Sequence, residues 1–413
     1  MNALAAIGCC ARIVFSSACM AAGAGTADAH EPALQVPATA AVLQAAAPTP
    51  AETARRSLWR DPQDGHLDAS GWLLEKKGGF LPVPIIITDP AVGNGGGLAL
   101  AFFRPHRSST HAEDTARGRR PQTPDIYGAM AMRTSNGTEA LGAGAMLHFD
   151  EDRWRYRGGL GKASINLDFH APGNRVSPPL KISYNADGIA SFQQVFRRIG
   201  SHELFIGLAW IYMDVDLSFD SDRERDRFSD KERASRSSGL GLALEYDSRD
   251  NAFTPSRGWL GSLEANAYDA LIGSDNDFQS YRGHAYGYLP IGERLVLGGR
   301  ADVRWAEGDV PFYRLPYIDM RGIGSARYQD HRAATLETEL RWNLSRRWAL
   351  VGFVGAGRTW GRHNDVSDGP SQVARGAGVR YLLVRQLGLY AGIDYAWGPE
   401  DDTFYIQVGS AWR

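Results

Sequence analysis

The stretch Leu336-Glu337-Thr338-Glu339-Leu340-Arg341-Trp342-Asn343-Leu344 decides the fold class. In an extended chain Leu336, Thr338, Leu340, Trp342 and Leu344 share one face, and Glu337, Glu339, Arg341 and Asn343 share the other. The same period of two recurs in both directions. Leu295, Leu297, Ala301, Val303 and Trp305 oppose Arg300, Asp302 and Arg304. Leu240, Leu242, Leu244 and Tyr246 oppose Glu245 and Asp247, and Phe404, Ile406, Val408 and Trp412 oppose Tyr405, Gln407 and Arg413. The segments run about 10–15 residues, often end in Trp or Tyr, and are joined by tight turns, as in a barrel with an apolar exterior and aromatic girdles. A soluble sandwich uses shorter strands with the polar face outward. Here the charged face is expected inside, where Arg and Glu pair with one another. The expectation is an all-β chain forming a transmembrane antiparallel β-barrel of about sixteen strands, with one long loop folded towards the lumen.

Composition fits this reading. The 413 residues include 47 Gly, 16 Tyr, 16 Phe and 11 Trp; charged residues make up 22% and the net charge is −2. Without a basic excess no nucleic-acid partner is expected. Beyond the extreme N-terminus no apolar run reaches the ~18 residues that a helical span needs.

Near the start, Arg12 precedes Ile13, Val14 and Phe15, then small residues lead to Ala27-Asp28-Ala29. Residues 1–29 are therefore expected to be a signal peptide cleaved before His30. Cys9, Cys10 and Cys19 all fall within it, so the exported chain is expected to carry no thiol, and no cofactor or metal is expected. Residues 30–78 are read as a flexible periplasmic leader with a short helix presenting Trp72, Leu73 and Leu74, capped by Asp68 or Ser70. The acidic run from Asp61 to Asp68 lacks the alternating carboxylates of a calcium loop and is read as a solvated turn. Residues 79–413 form the barrel. Short links such as Ser135-Asn136-Gly137 alternate with the long links His106–Gln122, Asp220–Arg233 and Ala306–His331. The long links are expected on the extracellular side, beside lipopolysaccharide, with outer-membrane lipid around the wall.

Three segments, taken together, resemble the BamA/TamA-like outer-membrane proteins, or bacterial surface antigen family. The run from Phe80 to Gly95 is similar to that family's first hairpin. The run from Tyr246 to Trp259 is similar to its mid-barrel turn, with Asp247, Arg249, Asp250, Pro255 and Gly258 on the pattern. Gly376-Ala377-Gly378-Val379-Arg380 resembles a strand near its C-terminus. The resemblance implies an Arg-Gly pair on a loop inside the lumen, which Met320-Arg321-Gly322-Ile323 supplies. The family's inward aspartate maps onto Gly355, so Arg321 is expected to find another acid among Glu245, Glu337 and Glu339. Too few residues lie between His30 and Lys77 for a compact POTRA domain, which points to the subset without one. The resemblance further implies insertion or translocation of proteins or lipids at the outer membrane, with unfolded outer-membrane proteins as clients.

Pro82 and Pro84, two apart, lack N–H donors on the same side of the first strand. With Gly409 in the last strand, they are expected to weaken the first/last-strand junction into a seam. Two other functions stay open: a passive pore or structural barrel with Arg300, Arg304, Arg341 and Glu337 in the lumen, and a barrel lipase or deacylase. The latter needs a serine, a histidine and an orienting polar group together at the rim. No G-x-S-x-G elbow occurs and His284 reads as lumen filling, so an enzyme is not expected.

Overall fold

A computed structural model describes residues 59–61, 63–71, 80–89, 92–104, 125–171, 180–200, 203–219, 234–251, 253–324, 327–361 and 371–412. The expected signal peptide, and the leader as far as residue 58, lie outside these residues. Sixteen strands follow one another. They are β1 Phe80–Asp89, β2 Gly93–Arg104, β3 Asp125–Thr134, β4 Glu139–Phe149, β5 Trp154–Ala171 and β6 Leu180–Arg198. Next come β7 Leu204–Phe219, β8 Ala234–Asp247, β9 Gly258–Tyr268, β10 Phe278–Ile291 and β11 Leu295–Gly308. The last five are β12 Arg332–Asn343, β13 Trp348–Trp360, β14 Gln372–Val384, β15 Leu389–Trp397 and β16 Asp402–Val408. Each is hydrogen-bonded antiparallel to the next in a single meander. This is the expected antiparallel barrel.

The alternation that predicted the strands also sets their faces. On β12, Leu336 is 64% exposed while Glu337 is 3% exposed. Leu141, Leu160, Leu208 and Leu263 likewise point outward, where lipid rather than water completes their burial. Strand direction alternates, so both chain ends emerge at one rim, the periplasmic one in an exported barrel. Exposed aromatics gather there: Phe80, Phe102, Tyr127, Phe149, Trp154, Tyr246, Trp259, Trp342 and Trp348. They form the girdle in which amphipathic rings meet lipid headgroups.

Three features differ from expectation. The long link between Arg104 and Asp125 joins β2 to β3, and the parity of the meander puts its ends at the periplasmic rim, not outside. Strand count, not link length, fixes the side. The interior of that link, like that of the Asp220–Arg233 link, lies outside the described residues. Second, the lumen is not polar throughout. Over much of their length the inner faces of β1–β7 are aliphatic and Met-rich, with Val83, Ile85, Met130, Ile165, Met213 and Val215 all buried in one cluster, while Arg155 and Arg157 of β5 and Arg198 of β6 pair with Asp152 and Glu245 nearer the periplasmic rim. The charged inner residues belong mainly to β8–β15. A lumen needs polar walls only where water fills it; where side chains fill it, an apolar wall packs equally well.

The acidic run is also not a solvated turn. The segment from Trp59 to Gly71 docks beneath the barrel, with Ala69 N donating to Leu383 O at 2.9 Å. Its carboxylates surround Arg347, in the β12–β13 turn, which is 3% exposed. Arg347 Nε reaches Asp64 Oδ2 at 2.6 Å, Nη1 reaches Asp68 Oδ2 at 2.7 Å and Nη2 reaches Asp61 Oδ2 at 2.5 Å. Arg385, after β14, also pairs with Asp61. Asp68 accepts from Ser70 N at 2.7 Å, the capping contact expected for a helix there; residues 72–79 lie outside the described set.

The Arg347 hydrogen bond holds the Asp64 carboxyl down at about 2, against the opposing effect of burial. Its folded value lies below that of an unfolded aspartate, about 3.9. The clasp contribution is therefore complete above that value and is lost as pH falls through about 2. Pepsin should leave the 59–71 segment intact at pH 4 and cut it only as pH approaches 2, in about the window the linkage sets. Arg347→Ala should expose Arg60 to trypsin at neutral pH. Equal cleavage of variant and parent would remove the clasp from this account.

Candidate functional site

The link between β11 and β12 returns into the lumen. Ile318 N donates to Tyr328 O at 3.0 Å and Asp330 N to Pro316 O at 3.0 Å, so the loop folds on itself as a narrow finger. Ile318, Met320 and Ile323 pack on Ala374 of β14. Glycines on β13 make room for the finger. A Cβ at Gly355 would overlap Met320 Sδ, and one at Gly357 would overlap Ile318.

Arg321 stands at the fingertip, 7% exposed. Its Nε donates to Glu337 Oε1 at 2.7 Å and its Nη1 to Asp394 Oδ2 at 2.8 Å. Glu339 Oε2 also lies 2.8 Å from Nη1, close enough for an ion pair. The guanidinium covers the Phe353 ring at 3.6 Å, a favourable cation–π geometry. Arg380 forks onto Asp394, with Nη2 donating to Oδ2 at 2.9 Å. Arg300 Nη1 lies 3.6 Å from Glu337 Oε2. The node thus balances Arg300, Arg321 and Arg380 against Glu337, Glu339 and Asp394, as buried charges require. Gly322 takes φ 82°, and a Cβ there would lie 2.9 Å from that of Ala374. Its N–H donates to the Tyr405 hydroxyl of β16 at 2.9 Å.

Of the three acids expected beside Arg321, Glu337 and Glu339 are there. Glu245 is not: it sits on β8, bound by Arg157 Nη1 at 2.7 Å and Nη2 at 2.6 Å. Sharing an inward parity did not place it on the same side of the lumen. Asp394 was missed. Its signal was one acid between outward Ile393 and Tyr395 on an otherwise apolar strand. The G-x-G-x-R segment now has a physical reason. A Cβ at Gly376 would overlap the Phe353 ring, and one at Gly378 would overlap Asp394 Oδ1, while Arg380 binds that same carboxylate. The acid absent at Gly355 is therefore supplied from β15. The other lumen arginines are also engaged. Arg304 bonds Asp302 and Asp319 at 2.7 and 2.6 Å, and Arg341 donates to Ser256 Oγ at 2.6 Å.

The mid-barrel turn between β8 and β9 lies across the periplasmic floor. Asp247 holds Arg249 through two bonds of 2.9 Å. Asp250 Oδ1 accepts from Ser256 N and Arg257 N at 2.9 and 3.2 Å, Pro255 is buried, and Gly258 has φ 96°. Asn251 Nδ2 donates to Leu387 O at 2.9 Å, on the far side of the lumen. Phe253, 1% exposed, joins Leu387 and Leu389 in the apolar cluster.

At the sheet's ends, β1 pairs with β2 from Phe80↔Phe102 to Asp89↔Gly93. That register runs through Pro82 and Pro84 without a bulge, which a ladder tolerates where the missing N–H points away from the partner. Strand β16 pairs with β15 up to Ala391↔Val408. β1 and β16 lie side by side, yet no ladder joins them among the described residues. Gly409, at φ 81°, then turns the chain out of the wall.

Arg321→Ala should leave Glu337, Glu339 and Asp394 one positive charge short, with only Arg300 and Arg380 beside them, at a cost of about 3–5 kcal/mol, and lower the urea midpoint of the folded barrel. Arg321→Lys should recover part of this, since it restores charge without the planar fork. A parent-like midpoint for Arg321→Ala would show that the node carries no stability.

Solved structures with this architecture include BamA from Haemophilus ducreyi lacking POTRA domains 1–3, at TM-score 0.54 and 12% identity over 81% of this chain and 70% of that one. CdiB from Escherichia coli is similar at TM-score 0.56 and 11% identity, over 80% of this chain and 62% of its own. CdiB from Acinetobacter baumannii gives TM-score 0.51 and 12% identity over 80% and 59%. At such identities the likeness is one of fold, and this chain spans under two thirds of either CdiB structure. No curated protein sequence matches. Residues 149–412, comprising β5–β16 with the finger loop and the mid-barrel turn, match the Omp85 superfamily domain, and this outer-membrane barrel belongs to that superfamily.

Proposed function

We propose that this barrel assists insertion or translocation of proteins or lipids at the outer membrane through a weak seam between β1 and β16. One observation carries the reading: each strand pair from β1–β2 to β15–β16 shares a ladder, and none joins the two ends of the sheet among the described residues. Backbone bonds are worth about 0.5–1.5 kcal/mol each, so this junction parts at lower cost than any other. The prolines remove two donors from β1, and β16 holds only 7 residues, so the wall is shortest there. A short apolar wall draws the bilayer thinner beside it. Arg321 and Gly322 link the finger to β12, β15 and β16, which would let the finger sense or set the position of the seam. Unfolded outer-membrane proteins are the clients this reading implies, and lipopolysaccharide the surrounding lipid. Catalysis forms no part of it. The passive-pore alternative draws less support, because Arg300, Arg304 and Arg341 are bound by acids or a hydroxyl and much of the β1–β7 wall is apolar.

The test is folding of a small unfolded outer-membrane protein into liposomes carrying this barrel. Acceleration is expected with the parent, less with Arg321→Ala, and none when a disulfide joins β1 to β16. The native cysteines are only Cys9, Cys10 and Cys19, so an introduced pair in the barrel is unambiguous. Unchanged client folding with a correctly folded parent barrel would overturn the proposal.

A further inference from the structure

The 59–71 clasp has a second face. Arg60 and Leu67 are antiparallel bridge partners. Asp61 N donates to His66 O at 3.0 Å and Asp68 N to Trp59 O at 3.0 Å, so the segment is a short hairpin. Alternation along an extended chain divides its side chains between two faces. Asp61 and Asp68 lie on one and are buried against Arg347. Arg60 and Leu67 share the other, and both are exposed, Leu67 at 52%.

Tyr381 fixes where that outer face lies. Its hydroxyl donates to Leu67 O at 2.8 Å, and on β14 it stands in step with Val373 and Val379, which are exposed on the lipid side. Trp348, the first residue of β13, meets the Tyr381 ring edge-on at 4.9 Å. Leu350, next on the same face of β13, is also exposed. Leu67 is therefore not beneath the lumen but at the foot of the lipid-facing wall, continuous with the aromatic girdle. The β12–β13 turn adds Leu344 and Arg346, both exposed. Arg347 and Arg385 are held by the clasp acids, whereas neither Arg60 nor Arg346 pairs with an acid among the described residues.

Leucine and two aromatic rings beside unpaired guanidinium groups, at this depth, have the chemistry of a membrane interface. Apolar bodies enter the acyl boundary while the charged heads stay at the headgroups. We propose that the outer face of the clasp hairpin, with Trp348, Tyr381 and Arg346, is a binding surface for phospholipid headgroups of the periplasmic leaflet. Leu67 enters the acyl boundary beside Trp348 and Tyr381, and Arg60 and Arg346 reach headgroup phosphates. Interfacial aromatic and arginine anchors set how a membrane-spanning element sits in the bilayer. A foot under β13–β14 thus fixes the depth of that side of the barrel, and Arg347 fixes the foot. The proposal concerns the resting barrel and stands or falls apart from any effect on client folding.

The experiment places an environment-sensitive NBD probe at residue 67 of the full chain, through Leu67→Cys with Cys9, Cys10 and Cys19 changed to serine. The barrel is folded into phospholipid liposomes containing a lipid with a nitroxide at the top of its acyl chain. Emission from residue 67 should be quenched at least about twofold more than emission from the same probe at Gln63→Cys, in the hairpin turn, because an interfacial group sits roughly 5–10 Å into the headgroup boundary. Adding Arg347→Ala should remove that difference. Equal quenching at the two positions, with Arg60 still protected from trypsin, would overturn the proposal. A second measurement leaves Leu67 in place: the unaltered chain is photolysed with a phospholipid carrying a diazirine near its headgroup. Adducts are expected within residues 59–71, and adducts confined to the wall strands would overturn the proposal equally.

Discussion

A hydrocarbon bilayer offers no partner to a backbone N–H or C=O, so a strand inside it must be paired on both edges. That constraint explains why this chain is a meander of sixteen strands with continuous registers, and it makes the two free edges consequential. β1 limits its own demand by carrying proline where a donor would otherwise face β16. β16 limits its demand by being short and by turning away at Gly409, whose φ of 81° suits glycine far better than any other residue. Neither edge is satisfied by the other among the described residues. The end of β16 is held instead from inside the lumen, by Phe253 O and the Tyr288 hydroxyl.

Inside, the barrel is divided into two kinds of wall. The β1–β7 side is aliphatic and packs as a protein core does. The β8–β15 side carries arginines and acids, tolerable because Arg300, Arg304, Arg321 and Arg380 face counter-charges and Arg341 finds a hydroxyl acceptor. Arg321 concentrates this requirement. It arrives on a loop, yet its partners stand on β12 and β15, and the N–H that follows it binds β16. Losing any one acid would leave a net positive node in a low-dielectric lumen. The finger is therefore locked by charge balance as much as by the packing of Ile318, Met320 and Ile323.

The strands were legible because lipid on one side and a filled lumen on the other impose a strict period of two, as Leu336 to Leu344 shows. Glu337 and Glu339 could be placed beside Arg321 for the same reason. Alternation tells which face a residue occupies, but not where around the circumference it stands. That is why Glu245, correctly read as inward, lies instead against Arg157, and why Asp394 went unnoticed on β15. It also explains Gly355. The family resemblance implies an acid there, but only the packing shows that Met320 takes up the space. The acidic run at Asp61–Asp68 was unreadable for a different reason. Its partner Arg347 is nearly three hundred positions away in an unremarkable turn, and long-range pairing leaves no local pattern.

Three segments that share no sequence feature converge on the periplasmic floor. The N-terminal clasp grips the β12–β13 and β14–β15 turns through Arg347 and Arg385. The mid-barrel turn reaches the β14–β15 turn through Asn251 and Leu387. The C-terminal tail threads between that turn and β10. Each contact ties a distant part of the chain to turns and strands between β10 and β15, and each is made by side chains or turn backbone rather than by a strand pairing of the wall. Parting β1 from β16 therefore disturbs few backbone bonds in the wall but must also move the floor. No ladder joins β1 to β16 among the described residues, while side chains and turns brace the floor beneath them. On the proposed reading, a seam with that division of labour would stay shut in the resting barrel without strong strand pairing, because the bracing comes from the floor rather than from the wall.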